Sequence, residues 1–323
     1  MPKSILLNLC FTIILMSCGS STRKGQSNSK VDIEETGITS SNTLDQGLVT
    51  QLDSLEFQKP KSLMDLPKSQ DGGFVLSQGF YEAEFKSYCL QPGTPSPSPR
   101  DAYLEGSVSG YRKEIIKSIL RNSEDRPDLN QKNIQLLLWS TVSGSNFDKL
   151  PQAVKATAYR VLSSKQIFEL KGGVVGLVKT ISASLPSGNN DLNKLFEIGT
   201  SSYEAFERMA VLHETSKISR PEVKTNQWYQ QKEGYYVRYF PKSYQNVRIQ
   251  VYVPDMLMTD QGNYVVYDPV TRVAIPVNSN AQRLGIGGPV IEIVRAIITI
   301  PKGPGATKKL PPPENKNPKM RTK

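Results

Sequence analysis

The 323-residue chain contains one histidine and three cysteines, which is too few for the common zinc-binding arrangements. His213 has no second histidine at ligand spacing and no cysteine pair, so no metal site is predicted. The G-x-S-x-G motif of one large hydrolase class is absent. Gly285 to Gly288 lack the Lys-Ser/Thr ending of a phosphate loop, so no nucleotide cofactor is predicted either.

Long apolar runs are also missing. The longest, Ile5 to Met16 and Val290 to Ile300, fall short of the roughly 20 residues that a membrane-spanning helix needs. Disulfide bonds are not expected to hold the fold, because Cys10 and Cys18 lie in the first 20 residues and leave Cys89 alone. Cys89 is therefore expected to be a buried, small apolar side chain, and a catalytic thiol is the less favoured alternative.

The formal net charge of +10 is concentrated at the carboxyl end. Between Pro301 and Lys323, seven Lys and Arg residues stand against Glu314 alone, a net of +6, and the rest of the chain carries only about +4. A nucleic-acid partner is therefore not predicted. Residues 301–323 are Pro- and Lys-rich and are predicted to form a disordered tail, either solvated or in contact with anionic lipid, cell-wall polymer or an acidic protein.

The amino-terminal residues have the order of a secretory signal. Lys3 precedes the apolar run, and the run ends at Leu15-Met16-Ser17-Cys18. This ending resembles the lipobox of bacterial lipoproteins, with Cys18 as the first mature residue. The resemblance covers about 20 residues and implies cleavage after residue 17, diacylglycerol on the Cys18 thiol and an acyl chain such as palmitate on the new amino group. An ordinary cleaved signal is the alternative.

The resemblance also implies a location. Gly19 stands where an aspartate would retain a lipoprotein in the inner membrane, so the outer membrane is expected. No acidic cluster follows Cys18, which favours the side that faces the periplasm. Residues 18–70 are rich in polar residues and are predicted to be a flexible leader, along which Leu52, Leu55 and Phe57 are candidates for local docking.

The rest of the chain is predicted to have an α+β fold, in which a helical region precedes a small antiparallel β region. Residues 71–220 are assigned to a mainly helical domain, although residues 72–106 are irregular or favour strands. From Tyr111 onward, apolar residues recur at helical spacing, and the longest helix is expected from Asp191 to His213. Residues 221–300 alternate with a period of two, which predicts short strands.

An aromatic strand near Tyr236 is the strongest candidate for a binding surface, because both of its faces carry rings. One interpretation is a sheet covered on both faces by the protein itself. The other is a platform for a glycan or a partner protein, with an arginine beside the rings. The residues assigned to this surface are Trp228, Tyr235, Tyr236, Arg238 and Tyr239.

Together these features predict a lipoprotein of the cell envelope that acts as a structural, assembly or binding component. Its expected partners are the membrane, through the lipid anchor, and an envelope protein or cell-wall polymer. No catalytic residue is assigned. The alternative is an enzyme that acts on envelope glycan or peptidoglycan through paired carboxylates, for which Glu204 and Glu207 lie three residues apart on one helix.

Overall fold

The computed structural model describes residues 58–172, 187–290 and 297–298, together with residues 48, 49, 52 and 55, and within these ranges it omits positions 109, 111, 259–261 and 263. The predicted signal peptide, the lipid-attachment residue Cys18 and the basic tail lie outside the described residues. Among the residues that are described, no helix combines the length and apolar character needed to cross a membrane.

Strands occur on both sides of a helical segment in the described chain. The strands are β1 (Leu48–Val49), β2 (Lys61–Ser62), β3 (Lys68–Ser69), β4 (Phe74–Val75), β5 (Gly79–Cys89), β6 (Thr94–Pro95), β7 (Tyr103–Ser107), β8 (Val211–Leu212), β9 (Trp228–Gln230), β10 (Tyr236–Ser243), β11 (Asn246–Val253), β12 (Val266–Tyr267), β13 (Arg272–Pro276), β14 (Leu284–Pro289) and β15 (Ile297–Ile298). The helices are α1 (Lys113–Glu124), α2 (Gln131–Ser143), α3 (Gln152–Val161), α4 (Ser164–Leu170), α5 (Ser187–Glu197) and α6 (Tyr203–Ala210).

One large sheet organises the molecule. Eight strands follow one another in the order β1-β9-β10-β11-β5-β14-β13-β7, and every pair along this path is antiparallel. The short strand β2 adds a parallel pairing with β5. The terminal strand β7 comes back to lie against β10 and β9, so the sheet curls until it nearly closes on itself. Smaller sheets are formed by β12-β4-β3-β15 and by β6-β8.

This arrangement shows that the predicted fold class, a helical region followed by a small β region, was wrong. Strands contain about as many of the described residues as the α-helices do. Strands β5 and β7, from the first third of the chain, pair with strands from the last third. For example, Glu82 lies opposite Gln250 in the register. Local periodicity cannot reveal such pairings, because it reports on neighbours in sequence and not on strands more than a hundred residues apart.

The predicted long helix from Asp191 to His213 is two helices, α5 and α6. Gly199 lies between them with φ of 73°, a left-handed conformation in which glycine avoids the steric cost that other residues meet. Ser202 then caps α6, since its side chain accepts a hydrogen bond from the backbone N–H of Ala205. The apolar stripe continues across the break, because Phe196 and Phe206 pack together with ring centres 4.3 Å apart.

Two glutamines of α2 join the helical layer to the sheet. The Gln135 side chain accepts a hydrogen bond from the Cys89 backbone N–H at 2.8 Å and donates one to the Cys89 carbonyl at 2.9 Å. It thus occupies the place of a neighbouring strand at the end of β5. One turn earlier, Gln131 donates to the carbonyl of Gln245 at 2.9 Å, in the turn between β10 and β11. The Gln135 contacts satisfy a buried N–H and C=O that would otherwise lack a partner, whereas the Gln245 carbonyl also accepts a hydrogen bond from the Ser87 backbone N–H.

A buried carboxylate sits inside the curl of the sheet. Glu105 of β7 is 2% exposed and accepts a hydrogen bond from the Tyr239 hydroxyl of β10. The Tyr239 and Tyr267 hydroxyl oxygens are 3.2 Å apart, and Arg272 Nε lies 3.5 Å from Glu105 Oε1. Burial raises the pKa of the Glu105 carboxyl, while the charge of Arg272 and the hydrogen bond from Tyr239 act in the opposite direction.

The Gln135→Leu variant should lower the free energy of unfolding by about 2 kcal/mol or more, because the N–H and C=O of Cys89 would both be buried without a partner. Urea unfolding followed by circular dichroism measures the change. The matched control is Gln152→Leu, the same substitution at an exposed position on α3, which should change stability little. Equal losses in the two variants would contradict the assigned role of Gln135.

The Glu105→Gln variant tests the buried carboxylate through pH. Because the folded pKa lies above the unfolded value of about 4.3, the contribution of Glu105 to stability is present at low pH and is lost as pH rises through the folded pKa. Between the unfolded and the folded pKa of Glu105, the free energy of unfolding of the wild-type protein should therefore fall by about 1.4 kcal/mol per pH unit relative to that of the variant. Urea unfolding between pH 4.5 and 8 measures the difference. Glu114→Gln, at an exposed site on α1, should leave the wild-type slope unchanged.

Candidate functional site

The alternating pattern of β10 divides the predicted binding surface between two faces of the sheet. Tyr235, just before the strand, and Tyr239 are buried in the main core at 2% and 3% exposure. Tyr236 and Arg238 point to the opposite face, where Trp228 of β9 joins them. The structure therefore brings three of the five predicted residues together, and the other two belong to the interior.

We call this opposite face of β10, β11 and β5 the outer face. Its residues are aligned in rows by the strand register, which places Tyr236 beside Tyr252 and Arg238 beside Gln250. The rings of Tyr236 and Tyr252 stack with centres 6.1 Å apart. The side chains of the outer face are those of Phe80, Glu82, Glu84, Tyr236, Arg238, Phe240, Arg248, Gln250 and Tyr252.

Arg238 is held over aromatic rings on this face. Its guanidinium carbon lies 4.2 Å from the ring centre of Trp228 and 5.1 Å from that of Phe240, which are cation–π distances. Its Nε donates a hydrogen bond to Gln250 Oε1 at 2.6 Å. Burial and the nearby charge of Arg248 lower the pKa of Arg238 to about 10, so the group keeps its charge at neutral pH.

The nearest carboxylate on the outer face is already paired with another arginine. Glu82 Oε2 lies 3.3 Å from Arg248 Nη1 and also accepts a hydrogen bond from the Gln250 side chain. The Arg248 guanidinium carbon lies 4.4 Å from the ring centre of Phe240. Among the described residues, no carboxylate forms an ion pair with Arg238. Besides the electrostatic attraction of Glu82, the described residues stabilise the charge of Arg238 through ring faces and a neutral amide.

A cleft of about 570 Å³ opens beside Arg238. One wall is apolar and contains Leu52, Leu55, Phe80 and Trp228. Leu55 is 2% exposed and packs with Phe80 and Trp228 in a cluster separate from the main core, with Leu52 against it. The expected local docking of Leu52 and Leu55 is confirmed, while Phe57 lies outside the described residues.

The other residues that line the cleft include polar ones. Gln227 is 6% exposed, and its Oε1 accepts no hydrogen bond from the described part of the protein. The preceding residue, Asn226, has φ of 61°, a left-handed conformation that asparagine tolerates better than most residues. Glu222 and Lys224 are exposed at the rim, and Glu222 is the one carboxylate among the lining residues described.

The two carboxylates considered for glycan cleavage lie away from the cleft and bind nearby side chains. Glu204 Oε1 lies 3.1 Å from Lys132 Nζ, and Glu204 also accepts a hydrogen bond from Ser202. Glu207 accepts a hydrogen bond from the Tyr244 hydroxyl, which also lies 2.9 Å from the Tyr203 hydroxyl. Neither glutamate lines the cleft.

The other candidate groups lie apart from the cleft. His213 is exposed after α6. Cys89 is completely buried, as expected, and burial raises the pKa of its thiol to about 12, which suppresses the reactive thiolate. In the part of the chain that the structure describes, no group of three or more His, Cys, Asp or Glu side chains could hold a metal ion.

Sequence reasoning missed Gln227, Gln250 and Glu82 as members of this surface. An indirect signal was present, since Gln250 and Glu82 each occupy a polar position in an alternating strand. Their convergence depends on the pairing of β5 with β11, which the sequence does not reveal.

In comparisons with known proteins, no family model, no curated protein and no solved structure matches this chain.

Proposed function

We propose that this protein is a lipoprotein anchored through Cys18 in the outer membrane and facing the periplasm. In this proposal it has a binding role in the assembly or structure of the cell envelope, and the outer-face cleft holds a segment of another envelope protein. The lipobox-like Leu15-Met16-Ser17-Cys18 supports the anchor. Binding in the cleft is supported by two of its polar groups, Gln227 Oε1 and the Arg238 Nη groups, for which the described residues provide no hydrogen-bond partner.

The single observation that carries the proposed binding role is the environment of the Arg238 guanidinium. A half-buried guanidinium without a carboxylate partner is costly unless something else satisfies its donors. The cleft beside it has a volume in the range of ligand sites and combines an apolar wall with a few polar groups, which is the usual composition of such sites.

A protein partner is favoured over a cell-wall polymer by the covering of the rings. Glycans stack on exposed aromatic faces, but Trp228 is 2% exposed and Arg238 lies over its ring. Phe80, the other aromatic residue among the cleft's described lining, is 6% exposed. The alternative function, an enzyme that acts on glycan through paired carboxylates, receives no support from Glu204 and Glu207. Glu204 pairs with Lys132, and Glu207 accepts a hydrogen bond from Tyr244.

The anchor predicts that cells supplied with labelled palmitate will label the wild-type protein, and that Cys18→Ala will abolish the label. Cys89→Ala is the matched control and should retain full labelling, since Cys89 is buried in the folded body. Intact-mass analysis of the wild-type protein should show the acyl groups attached to residue 18. An unmodified wild-type chain, or a labelled Cys18→Ala protein, would rule out the anchor.

The location of the binding surface is tested by photo-cross-linking in intact cells. Lys224→benzoylphenylalanine places the reactive group at the rim of the cleft, whereas Lys165→benzoylphenylalanine places it on α4, where the lysine side chain is 86% exposed. One discrete cross-linked protein is expected at position 224, and it should be absent at position 165. No cross-link at position 224, or the same product at both positions, would contradict binding at this face.

A further inference from the structure

The unused donors of Arg238 define what the cleft can recognise. A guanidinium carries five N–H donors in a fixed plane, and only Nε has a hydrogen-bond acceptor among the described residues, Gln250 Oε1. The Nη groups are therefore available to a ligand. Their fork geometry matches the two oxygens of a carboxylate.

Gln227 supplies an independent requirement on the same ligand. Its side chain is buried, it lines the same cleft, and its Oε1 has no hydrogen-bond donor in the described structure. A buried acceptor without a donor is destabilising, which a ligand N–H or O–H would relieve. Trp228, the first residue of β9, follows Gln227 directly and lies under the Arg238 guanidinium, and Gln227 and Arg238 line the same cleft.

We infer that the cleft binds a carboxylate on a peptide segment of the partner, with the Arg238 Nη groups donating to the carboxylate and Gln227 Oε1 accepting a peptide N–H. This inference rests on the proposed function and specifies the chemistry of its binding surface. The carboxylate comes from either a chain terminus or an Asp or Glu side chain, since both present the same two oxygens.

The surroundings favour a peptide carboxylate over other anions. Arg238 and Lys224 are the cations and Glu222 is the carboxylate among the described lining of the cleft, a net charge of +1, so one negative charge is matched more closely than the two of a phosphate group. Leu52 and Leu55 offer an aliphatic wall that suits an apolar side chain next to the carboxylate. Inside the cleft an acidic sugar would lack an exposed ring on which to stack, because Trp228 and Phe80, the aromatic residues of its described lining, are buried.

The experiment uses the full-length lipidated protein in detergent and pools of fluorescent random peptides, with binding measured by anisotropy. One pool has free carboxyl termini and no acidic residues, a second has amidated termini and one Glu, and a third has amidated termini without acids. A fourth pool carries one phosphoserine, and a glucuronate oligosaccharide is tested separately. The first or the second pool should bind at least about tenfold more tightly than the third, and which of the two binds identifies the source of the carboxylate.

Variants tie that binding to the two side chains. Arg238→Gln should weaken binding of the preferred pool by about tenfold or more. Gln227→Glu, which keeps the size of the side chain but adds a negative charge, should weaken it as well. Arg160→Gln is the control, since Arg160 is half exposed and pairs with Asp128 in a different groove. Circular dichroism checks folding, and if Arg238→Gln fails to fold, Gln227→Glu decides the question.

The inference is overturned if the uncharged pool binds as tightly as the carboxylate pools, if no peptide pool binds, or if phosphoserine or glucuronate is preferred. It is also overturned if folded Arg238→Gln and Gln227→Glu bind like the wild type. A discrete cross-link at position 224 combined with any of these results would leave the proposed function standing and remove the carboxylate chemistry alone. No cross-link at position 224 together with tight carboxylate binding would support the carboxylate chemistry and contradict the proposed function.

Discussion

Strand β10 carries large side chains on both faces, and burying both of them requires two separate coverings. On the inner face, the curl of the sheet brings β7 against β10, so that Tyr239 reaches the buried carboxylate of Glu105. Tyr267 and Arg272 complete the environment of that carboxylate. The interaction joins the terminal strand of the sheet to a strand near its other end, and it places a polar group where the sheet would otherwise remain open.

The outer face is covered in a different way, and the balance of charge there explains the cleft. Two arginines and an aromatic row lie over the strands, but Glu82 is committed to Arg248. Arg238 is left with Trp228, Phe240 and Gln250, which stabilise a cation less than a carboxylate does. The same strand thus faces a polar cluster inside, in which Glu105 is paired with Tyr239 and Arg272, and one outside, in which Arg238 has no carboxylate ion-pair partner among the described residues. This asymmetry is why the outer face is the better candidate for binding.

Much of the local structure could be predicted from the sequence, but its assembly could not. The period-two pattern of residues 247–253 correctly predicted a strand. The aromatic strand left two interpretations open, and in the structure Tyr235 and Tyr239 belong to the core. The fold class failed because strand pairing between distant segments leaves no local trace, as with Glu82 opposite Gln250. The candidate site was predicted only in part, for the same reason. Alternation predicts that Arg238 and Tyr239 face opposite ways, yet only the register reveals which neighbours each one meets.

The leader links the cleft to the proposed anchor. Strand β1 pairs with β9, the strand that carries Trp228, and Leu55 packs on the same tryptophan, so the chain that continues toward Cys18 joins the body beside the cleft. About 30 residues separate Cys18 from Leu48, and an extended chain of that length spans at most about 100 Å. The proposed anchor would raise the local concentration of the cleft at the membrane, so the proposal favours a partner that is itself at or near the membrane.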